Sequence, residues 1–207
     1  MSVTVKICGI TSVANAKAAV DAGVDAIGFM FYEESPRYVT IEQAKTISDT
    51  LPPHIMRVGV FVNADEAFIN RALNECLLNI LQFHGDETPE DCDRFPIMTL
   101  KAFRVQGPET LEQMQDYTTA GFLLDAYTKD ALGGTGVTFN WDMAVQAQKF
   151  RRPIFLGGGL TPDNVAEAVQ KVEPFAVDVS SGVESEPGKK DAAKMRAFVS
   201  AAKGALA

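Results

Sequence analysis

The stretch Val3-Thr4-Val5-Lys6-Ile7-Cys8-Gly9-Ile10-Thr11 sets the architecture and shows where chemistry collects. Its first six residues are mostly β-branched or apolar and predict a buried strand, which Gly9 ends. Thr11 or Ser12 can cap the alanine-rich helix that follows. A strand that turns directly into a helix is the unit of a parallel α/β protein, in which ligands bind at the carboxyl ends of the strands. The stretch therefore predicts a thiol, Cys8, at such an end.

Lys6 lies two residues before Cys8, so both side chains point to the same face of the strand. A cation beside a thiol lowers its pKa and favours the reactive thiolate. We therefore expect a reactive Cys8 with Lys6 as the cause. The segment alone is equally compatible with a buried structural cysteine, because free cysteines are often fully buried.

Short β-rich runs alternate with helical stretches along the whole chain. The eight predicted strands are Thr4–Cys8, Ala26–Met30, Arg57–Val62, Asn79–Phe83, Ile97–Phe103, Gly121–Asp125, Ile154–Leu156 and Phe175–Val179. The predicted helices are Val13–Ala22, Ile41–Thr50, Asp65–Cys76, Pro89–Arg94, Glu109–Gln115, Trp141–Lys149, Pro162–Lys171 and Asp191–Ala202. Eight such units predict an α/β fold of one domain, residues 1–207, closed into a (β/α)8 TIM barrel, with a doubly wound open sheet as the alternative.

Threonine residues mark several helix starts. Thr40 precedes an apolar-periodic segment, while Thr88-Pro89 and Thr161-Pro162 each place a cap residue before a proline at the first helical position. These signals predict helices that begin at residues 41, 89 and 162.

Composition limits the class of partner. The 207 residues carry a formal net charge of −8, so the chain lacks the basic surface that nucleic acids and anionic membranes require. No apolar run approaches the ~18 residues that span a bilayer. We expect neither nucleic acid nor membrane as a partner, and a small anionic substrate held by local groups remains compatible with this charge.

The cysteines and histidines indicate a reduced, metal-free protein. Cys8, Cys76 and Cys92 are an odd set without a CxxC spacing, which favours free thiols in the cytoplasm over a disulfide framework. With only His54 and His84, a histidine-rich metal site is not expected. The sequence leaves the oligomeric state open between a monomer and a homodimer.

Polar residues collect at the predicted strand ends, which converge on one face of a barrel. Arg37 follows the second strand and presents a planar fork that suits a carboxylate. Gln82 and His84 share a face at the end of the fourth strand. Asp125 ends an apolar strand, where a carboxylate is costly unless it is partnered or used, so it is a candidate acid-base residue. The alternatives are an exposed arginine, a hydrogen-bonded histidine and a loop-capping aspartate.

Glycine and serine residues dominate the last two strand ends. Gly157 and Gly158 follow the seventh strand, and Asp178, Ser180 and Ser181 end the eighth. Glycines let backbone amides approach an anion, and the loops after strands seven and eight often bind phosphate in such barrels. The glycine-rich segment 132–139 lacks the Gly-Lys-Ser/Thr signature of a P-loop, and we expect it to fold over a ligand.

Together these residues carry a resemblance that covers essentially the whole chain. The matching blocks include Lys6-Ile7-Cys8-Gly9-Ile10-Thr11, Ser35-Pro36-Arg37, Leu81-Gln82-Phe83-His84-Gly85, Leu124-Asp125-Ala126, Gly133-Gly134-Thr135-Gly136, Leu156-Gly157-Gly158-Gly159-Leu160 and Asp178-Val179-Ser180-Ser181-Gly182-Val183-Glu184. In these blocks the chain resembles the phosphoribosylanthranilate isomerase family of tryptophan biosynthesis.

The resemblance implies an Amadori-type isomerase that acts on a phosphorylated small molecule without a cofactor. It implies Asp125 as general acid, Cys8 as general base and Arg37 as the residue that holds the anthranilate carboxylate. Phosphate binding is implied around Gly157, Gly158, Asp178, Ser180 and Ser181, and we add Lys6, Gln82 and His84 to the substrate site.

Two other readings stay open. A related phosphosugar barrel enzyme is one. An indoleglycerol-phosphate synthase would be expected to use lysine and glutamate at strand ends, and a histidine-pathway isomerase would place aspartates on strands one and five. Here Cys8 occupies strand one, and Lys101 is the only comparable lysine in strand five. A non-catalytic barrel that binds a phosphorylated metabolite is the other, and it would not need both Cys8 and Asp125.

Overall fold

The computed structural model describes residues 2–126 and 141–206. Within these residues, eight parallel strands form a closed barrel in chain order. The strands are β1 (Thr4–Cys8), β2 (Ala26–Met30), β3 (Met56–Phe61), β4 (Ile80–Phe83), β5 (Met98–Val105), β6 (Gly121–Ala126), β7 (Ile154–Leu156) and β8 (Ala176–Val179). Pairing of β1 with β8, in which Lys6 is opposite Asp178, closes the barrel. The predicted TIM barrel is therefore confirmed, and closure rules out an open sheet.

A helix follows each strand. The helices are α1 (Val13–Ala22), α2 (Ile41–Ser48), α3 (Glu66–Glu75), α4 (Pro89–Asp93), α5 (Pro108–Gln113), α6 (Asp142–Ala147), α7 (Val165–Val172) and α8 (Ala192–Gly204). Ser12 caps α1, and Thr40 and Thr88 form capping boxes at α2 and α4. In each case a side-chain oxygen accepts a bond from an amide of the first turn, which has no partner inside the helix.

Helix α7 begins later than the sequence predicts. Thr161-Pro162 indicates a start at residue 162, but the helix begins at Val165. The side chain of Asn164 is the cause: its Oδ1 accepts from the Thr161 amide at 2.8 Å, and its Nδ2 donates to the Gly159 carbonyl at 3.0 Å. These bonds hold residues 159–164 as a turn, which places the helix after Asn164.

A short antiparallel hairpin follows β8 and was not predicted. It consists of β9 (Glu184–Glu186) and β10 (Lys189–Lys190), with Gly188 at a left-handed φ of 81° between the strands. Its strands are too short and too charged to show the apolar alternation by which strands are recognised. The hairpin nevertheless borders the site described below.

The side chains inside the barrel form two layers: an apolar layer, and a polar layer nearer the carboxyl ends of the strands. Ile80, Leu123 and Ala176 belong to the apolar cluster inside the barrel. Two residues later on the same strands come Gln82, Asp125 and Asp178, which point to the same side because side chains alternate along a strand. A second, larger apolar cluster joins the outside of the barrel to the helices.

The segment 132–139, which we expect to fold over a ligand, lies outside the described residues, as does the Gly133-Gly134-Thr135-Gly136 block. Among the residues that the structure describes, no helix is both long and apolar enough to traverse a bilayer.

Candidate active site

A cleft opens at the carboxyl ends of the strands. It encloses about 620 Å³ of empty space with its open mouth included. Ten predicted site residues line it: Cys8, Arg37, Gln82, His84, Asp125, Gly157, Gly158, Asp178, Ser180 and Ser181. The barrel thus gathers side chains from β1, β4, β6 and β8 and from the loops after β2, β7 and β8 around one space.

Lys6 is the predicted site residue that does not line the cleft. Its side chain is fully buried, and its Nζ lies 2.9 Å from Oδ1 of Asp178 on the neighbouring strand. Burial alone lowers the pKa of Lys6, but the negative charges of Asp178 and Cys8 raise it above its usual range. Lys6 is therefore a buried ammonium ion inside the barrel, without access to the cleft.

The thiol of Cys8 differs from the sequence prediction. We expected Lys6 to lower its pKa, but the net direction is upward. Burial is the largest cause, because it disfavours the charged thiolate, and Asp178 adds to it. Lys6 and Lys190 act in the opposite direction and do not outweigh burial. The predicted influence of Lys6 is thus present, while the predicted lowered pKa is wrong.

The balance of charges around Cys8 can be tested by titration. We expect the alkylation rate of Cys8 by iodoacetamide to rise with pH, with a midpoint above the ~8.5 of a free thiol. Lys6→Met should move this midpoint further upward, because the nearest cation is lost. The measurement uses a background in which Cys76 and Cys92 are alanine.

The double variant Lys6→Met/Asp178→Asn is the control, since it removes two opposing charges and leaves no unpaired buried carboxylate. It should shift the Cys8 pKa less than Lys6→Met alone. An unchanged midpoint in Lys6→Met would show that Lys6 does not act on the thiol.

Gly28 leaves the space that the Cys8 side chain occupies. It is opposite Cys8 in the β1–β2 pairing, and a Cβ at this position would lie 2.8 Å from the Cys8 Sγ. We expect Gly28→Ala to displace the thiol and to lower turnover about 10- to 100-fold, because small misplacements of reacting groups are costly. Gly204→Ala is the matched control, since a Cβ there meets no atom within 4 Å. Equal activity of both variants in a steady-state assay would contradict the placement of Cys8 in the site.

Gln82, His84 and Asp125 form a polar row across the cleft. Gln82 Nε2 lies 3.1 Å from His84 Nδ1, which confirms that the two side chains share a face. His84 Nε2 lies 3.3 Å from Asp125 Oδ2. Among the described residues His84 Nε2 has no well-directed hydrogen bond, so the contact with Asp125 is a close electrostatic one. The side chain of Asp125 is 9% exposed and thus largely shielded from water.

Arg37 is held by two charged residues, Glu184 and Lys190, that are not among the predicted site residues. Its Nε and Nη2 each donate to one carboxylate oxygen of Glu184 at 2.8 Å. Lys190 Nζ contacts the same carboxylate at 2.7 Å. Glu184 ends one of the sequence blocks that carry the family resemblance, whereas Lys190 lies in none of them.

The loops after β7 and β8 present backbone and hydroxyl groups to the cleft. Gly158 and Gly159 adopt left-handed φ values of 76° and 66°, which favour glycine. Gly182 packs so closely on the Leu160 carbonyl that a Cβ there would overlap it, which joins the two loops. Ser180 Oγ donates to the Cys8 carbonyl at 3.1 Å and so links the loop after β8 to β1. Such an array of amides and hydroxyls suits an anion.

Comparison with known proteins agrees with this geometry. A family model described as N-(5'phosphoribosyl)anthranilate (PRA) isomerase matches residues 5–201. The N-(5'-phosphoribosyl)anthranilate isomerase of Geobacter sulfurreducens is 56% identical over 202 residues, which are 98% of this chain and 99% of that protein.

Solved structures give the same result. Phosphoribosyl anthranilate isomerase from Thermotoga maritima superposes with a TM-score of 0.93 at 43% identity, over 98% of this chain and 99% of that one. A second structure, of monomers generated from the dimeric enzyme of that organism, has a TM-score of 0.88 at 41% identity and the same coverage. A third, in complex with reduced 1-(o-carboxyphenylamino)-1-deoxyribulose 5-phosphate, has a TM-score of 0.89 at 41% identity, again over 98% and 99%.

A closed (β/α)8 barrel, a cleft lined by the predicted residues and a match over nearly the full length lead to one conclusion. The chain belongs to the N-(5'-phosphoribosyl)anthranilate isomerase family.

Proposed function

We propose that the protein converts N-(5-phosphoribosyl)anthranilate into 1-(2-carboxyphenylamino)-1-deoxyribulose 5-phosphate in tryptophan biosynthesis, with Cys8 and Asp125 as its catalytic pair. The observation that carries the proposal is that a thiol on β1 and a carboxyl group on β6 line one cleft. The strand order keeps the thiol and the carboxyl group apart, because β6 lies several strands from β1 in either direction around the barrel. The two groups can therefore act on a substrate from different sides.

Asp125 acts first, as the general acid. It gives a proton to the ribose ring oxygen, the bond from this oxygen to C1 breaks, and the nitrogen lone pair forms a Schiff base at C1. This proton is transferred inside the cleft, where the Asp125 side chain is largely shielded from water. His84 lies beside the carboxyl group and helps to position it.

Cys8 acts second, as the general base. Its thiolate takes the proton from C2, and the C2–H electron pair forms a C1–C2 double bond while the C1–N double bond of the Schiff base becomes single and its electron pair returns to nitrogen. The resulting enolamine tautomerises to the ketone. A raised thiol pKa makes the thiolate scarcer but also a stronger base for a proton on carbon. The sequence of steps is redox-neutral and moves only protons, so it balances without a cofactor.

The two anionic ends of the substrate bind at opposite parts of the cleft. Arg37 holds the anthranilate carboxylate, and the groups around Gly157, Gly158, Ser180 and Ser181 hold the phosphate. Asp178 lines the same region, but its carboxylate repels phosphate, so we assign it to Lys6. Gln82 supports His84 from β4.

We also propose a homodimer in the cytoplasm. The Thermotoga maritima relative is described as dimeric, and the free cysteines Cys8, Cys76 and Cys92 suit a reducing compartment. Light scattering during gel filtration should give twice the chain mass of 22.4 kDa. A single species at 22.4 kDa would leave the catalytic proposal intact and remove the dimer.

Complementation tests the function in a cell. The coding sequence should restore growth without tryptophan to a bacterial strain that lacks only its phosphoribosylanthranilate isomerase. The Cys8→Ala variant, expressed to the same level, should not restore growth. Failure of the well-folded parent protein to complement would contradict the proposal.

A further inference from the structure

Two buried charged residues, Glu184 and Lys190, and the largely buried Arg37 form a row of charges at the edge of the cleft. The side chains of Arg37, Glu184 and Lys190 are 11%, 5% and 0% exposed. Glu184 accepts two bonds from Arg37 and one from Lys190, all between 2.7 and 2.8 Å. Burial alone would raise the pKa of Glu184, but Arg37 and Lys190 lower it, so Glu184 is a carboxylate. The catalytic steps use neither Glu184 nor Lys190, so this costly arrangement needs another reason.

Glu184 determines which edge of Arg37 meets a ligand. A guanidinium can bind a carboxylate through two edges, one formed by Nε and Nη2 and the other by Nη1 and Nη2. Glu184 occupies the first edge with two parallel bonds of 2.8 Å. Among residues 2–126 and 141–206, no carboxylate occupies the second edge, which leaves it for a ligand anion in the cleft that Arg37 lines.

Lys190 determines the net charge of the row. Arg37 and Glu184 alone cancel each other and would attract an anion weakly. Lys190, in contact with the same carboxylate, restores a net charge of about +1. Burial lowers the pKa of Lys190, and the Glu184 carboxylate beside it offsets part of that effect. Because the three side chains are shielded from water, the charge acts strongly over short distances.

Lys190 also contacts the phosphate side of the cleft. Its Nζ donates to the carbonyl and the hydroxyl of Ser180 at 3.1 and 3.2 Å. Ser180 in turn donates to the carbonyl of Cys8. One ammonium group therefore joins the Arg37 region to the strand end that carries the base.

We propose that Glu184 and Lys190 are positioning residues for the substrate carboxylate: Glu184 fixes the free edge of Arg37, and Lys190 supplies the charge that keeps this edge attractive to an anion. The inference rests on the proposed substrate. It concerns residues that act through Arg37 and do not touch the reacting atoms.

A pair of ligands separates this role from a structural one. The probes are reduced 1-(o-carboxyphenylamino)-1-deoxyribulose 5-phosphate and the same compound without its carboxyl group, with Kd measured by calorimetry. Lys190→Met should weaken the carboxylated ligand about 10- to 100-fold, in line with the loss of one partner of a close charge pair. The affinity for the ligand without a carboxyl group should fall much less. The Kd of the ligand without a carboxyl group divided by the Kd of the carboxylated ligand should therefore fall.

Lys189→Met is the matched control. Lys189 is the neighbouring lysine on β10, but its side chain is 67% exposed and, within the described part of the chain, forms an ion pair only with Glu186 at 3.1 Å. Both Kd values should stay within about twofold of the parent, because exposed pairs contribute little.

The double variant Glu184→Gln/Lys190→Met returns the row to one net positive charge without the orienting carboxylate. It should bind the carboxylated ligand more tightly than Lys190→Met and less tightly than the parent protein. It also keeps the net charge of the parent arrangement, so it serves if Lys190→Met does not fold.

The outcomes are distinct. An unchanged ratio of the two Kd values in every variant that folds would overturn this inference while the proposed function stands. If Lys190→Met weakened the binding of both ligands equally, Lys190 would have a structural role, and the inference would be overturned as well. A parent protein that binds neither ligand would contradict the proposed function itself.

Discussion

Cys8→Ala is expected to lower kcat by about 10²–10⁴, the usual contribution of a general base. Alanine removes the thiol that takes the proton from C2, and Asp178, the described carboxylate that lines the cleft beside β1, is paired with Lys6. The position is buried and alanine is smaller than cysteine, so the barrel should keep its fold. Steady-state kinetics with freshly prepared substrate give the value, and circular dichroism checks the fold.

The other two cysteines are the matched controls. Cys76 and Cys92 are buried on the outer side of the barrel, where burial raises their pKa to about 11 and about 12. Cys76→Ala and Cys92→Ala should leave kcat within about threefold of the parent, although each creates a small cavity. A Cys8→Ala variant as active as these two would remove Cys8 from the mechanism.

Asp125→Asn is expected to lower kcat by a similar factor, about 10²–10⁴. The amide has nearly the same shape as the carboxyl group but cannot transfer a proton to the ring oxygen, so the ring should stay closed. The contact of Asp125 with His84 makes the change local, since an amide can occupy the same place beside the imidazole.

Asp21→Asn serves as the control for the loss of one negative charge. Asp21 lies on α1, is 58% exposed and pairs with Lys17, so its loss should leave kcat nearly unchanged. If Asp125→Asn retained more than about a tenth of the parent kcat, ring opening would not depend on Asp125.

Much of the barrel could be predicted because its strands carry local signals. Thr4–Cys8 and Ala26–Met30 have the predicted bounds, since each is a β-branched or apolar run, interrupted in the first by Lys6, that ends at a turn. The chain order of parallel strands then places all their carboxyl ends together, so residues as distant as Cys8 and Asp125 were expected in one site.

The features that were missed depend on contacts between distant segments. The start of α7 depends on bonds of Asn164 that a Thr-Pro pair does not reveal. The direction of the Cys8 pKa depends on how deeply the thiol is buried, which outweighs the nearby Lys6. Lys190 could not be recognised because only folding places it against Glu184 and Ser180. In the sequence, the short charged hairpin of β9 and β10 cannot be distinguished from a solvent-exposed loop.

The central claim is that one cleft isomerises N-(5-phosphoribosyl)anthranilate with Cys8 and Asp125 as its base and acid. The most direct measurement follows the loss of anthranilate-type fluorescence when freshly made substrate is mixed with the parent protein, Cys8→Ala and Asp125→Asn. We predict rapid loss with the parent and rates lower by about 10²–10⁴ with each variant. No loss with the folded parent protein, or equal rates for all three proteins, would contradict the account.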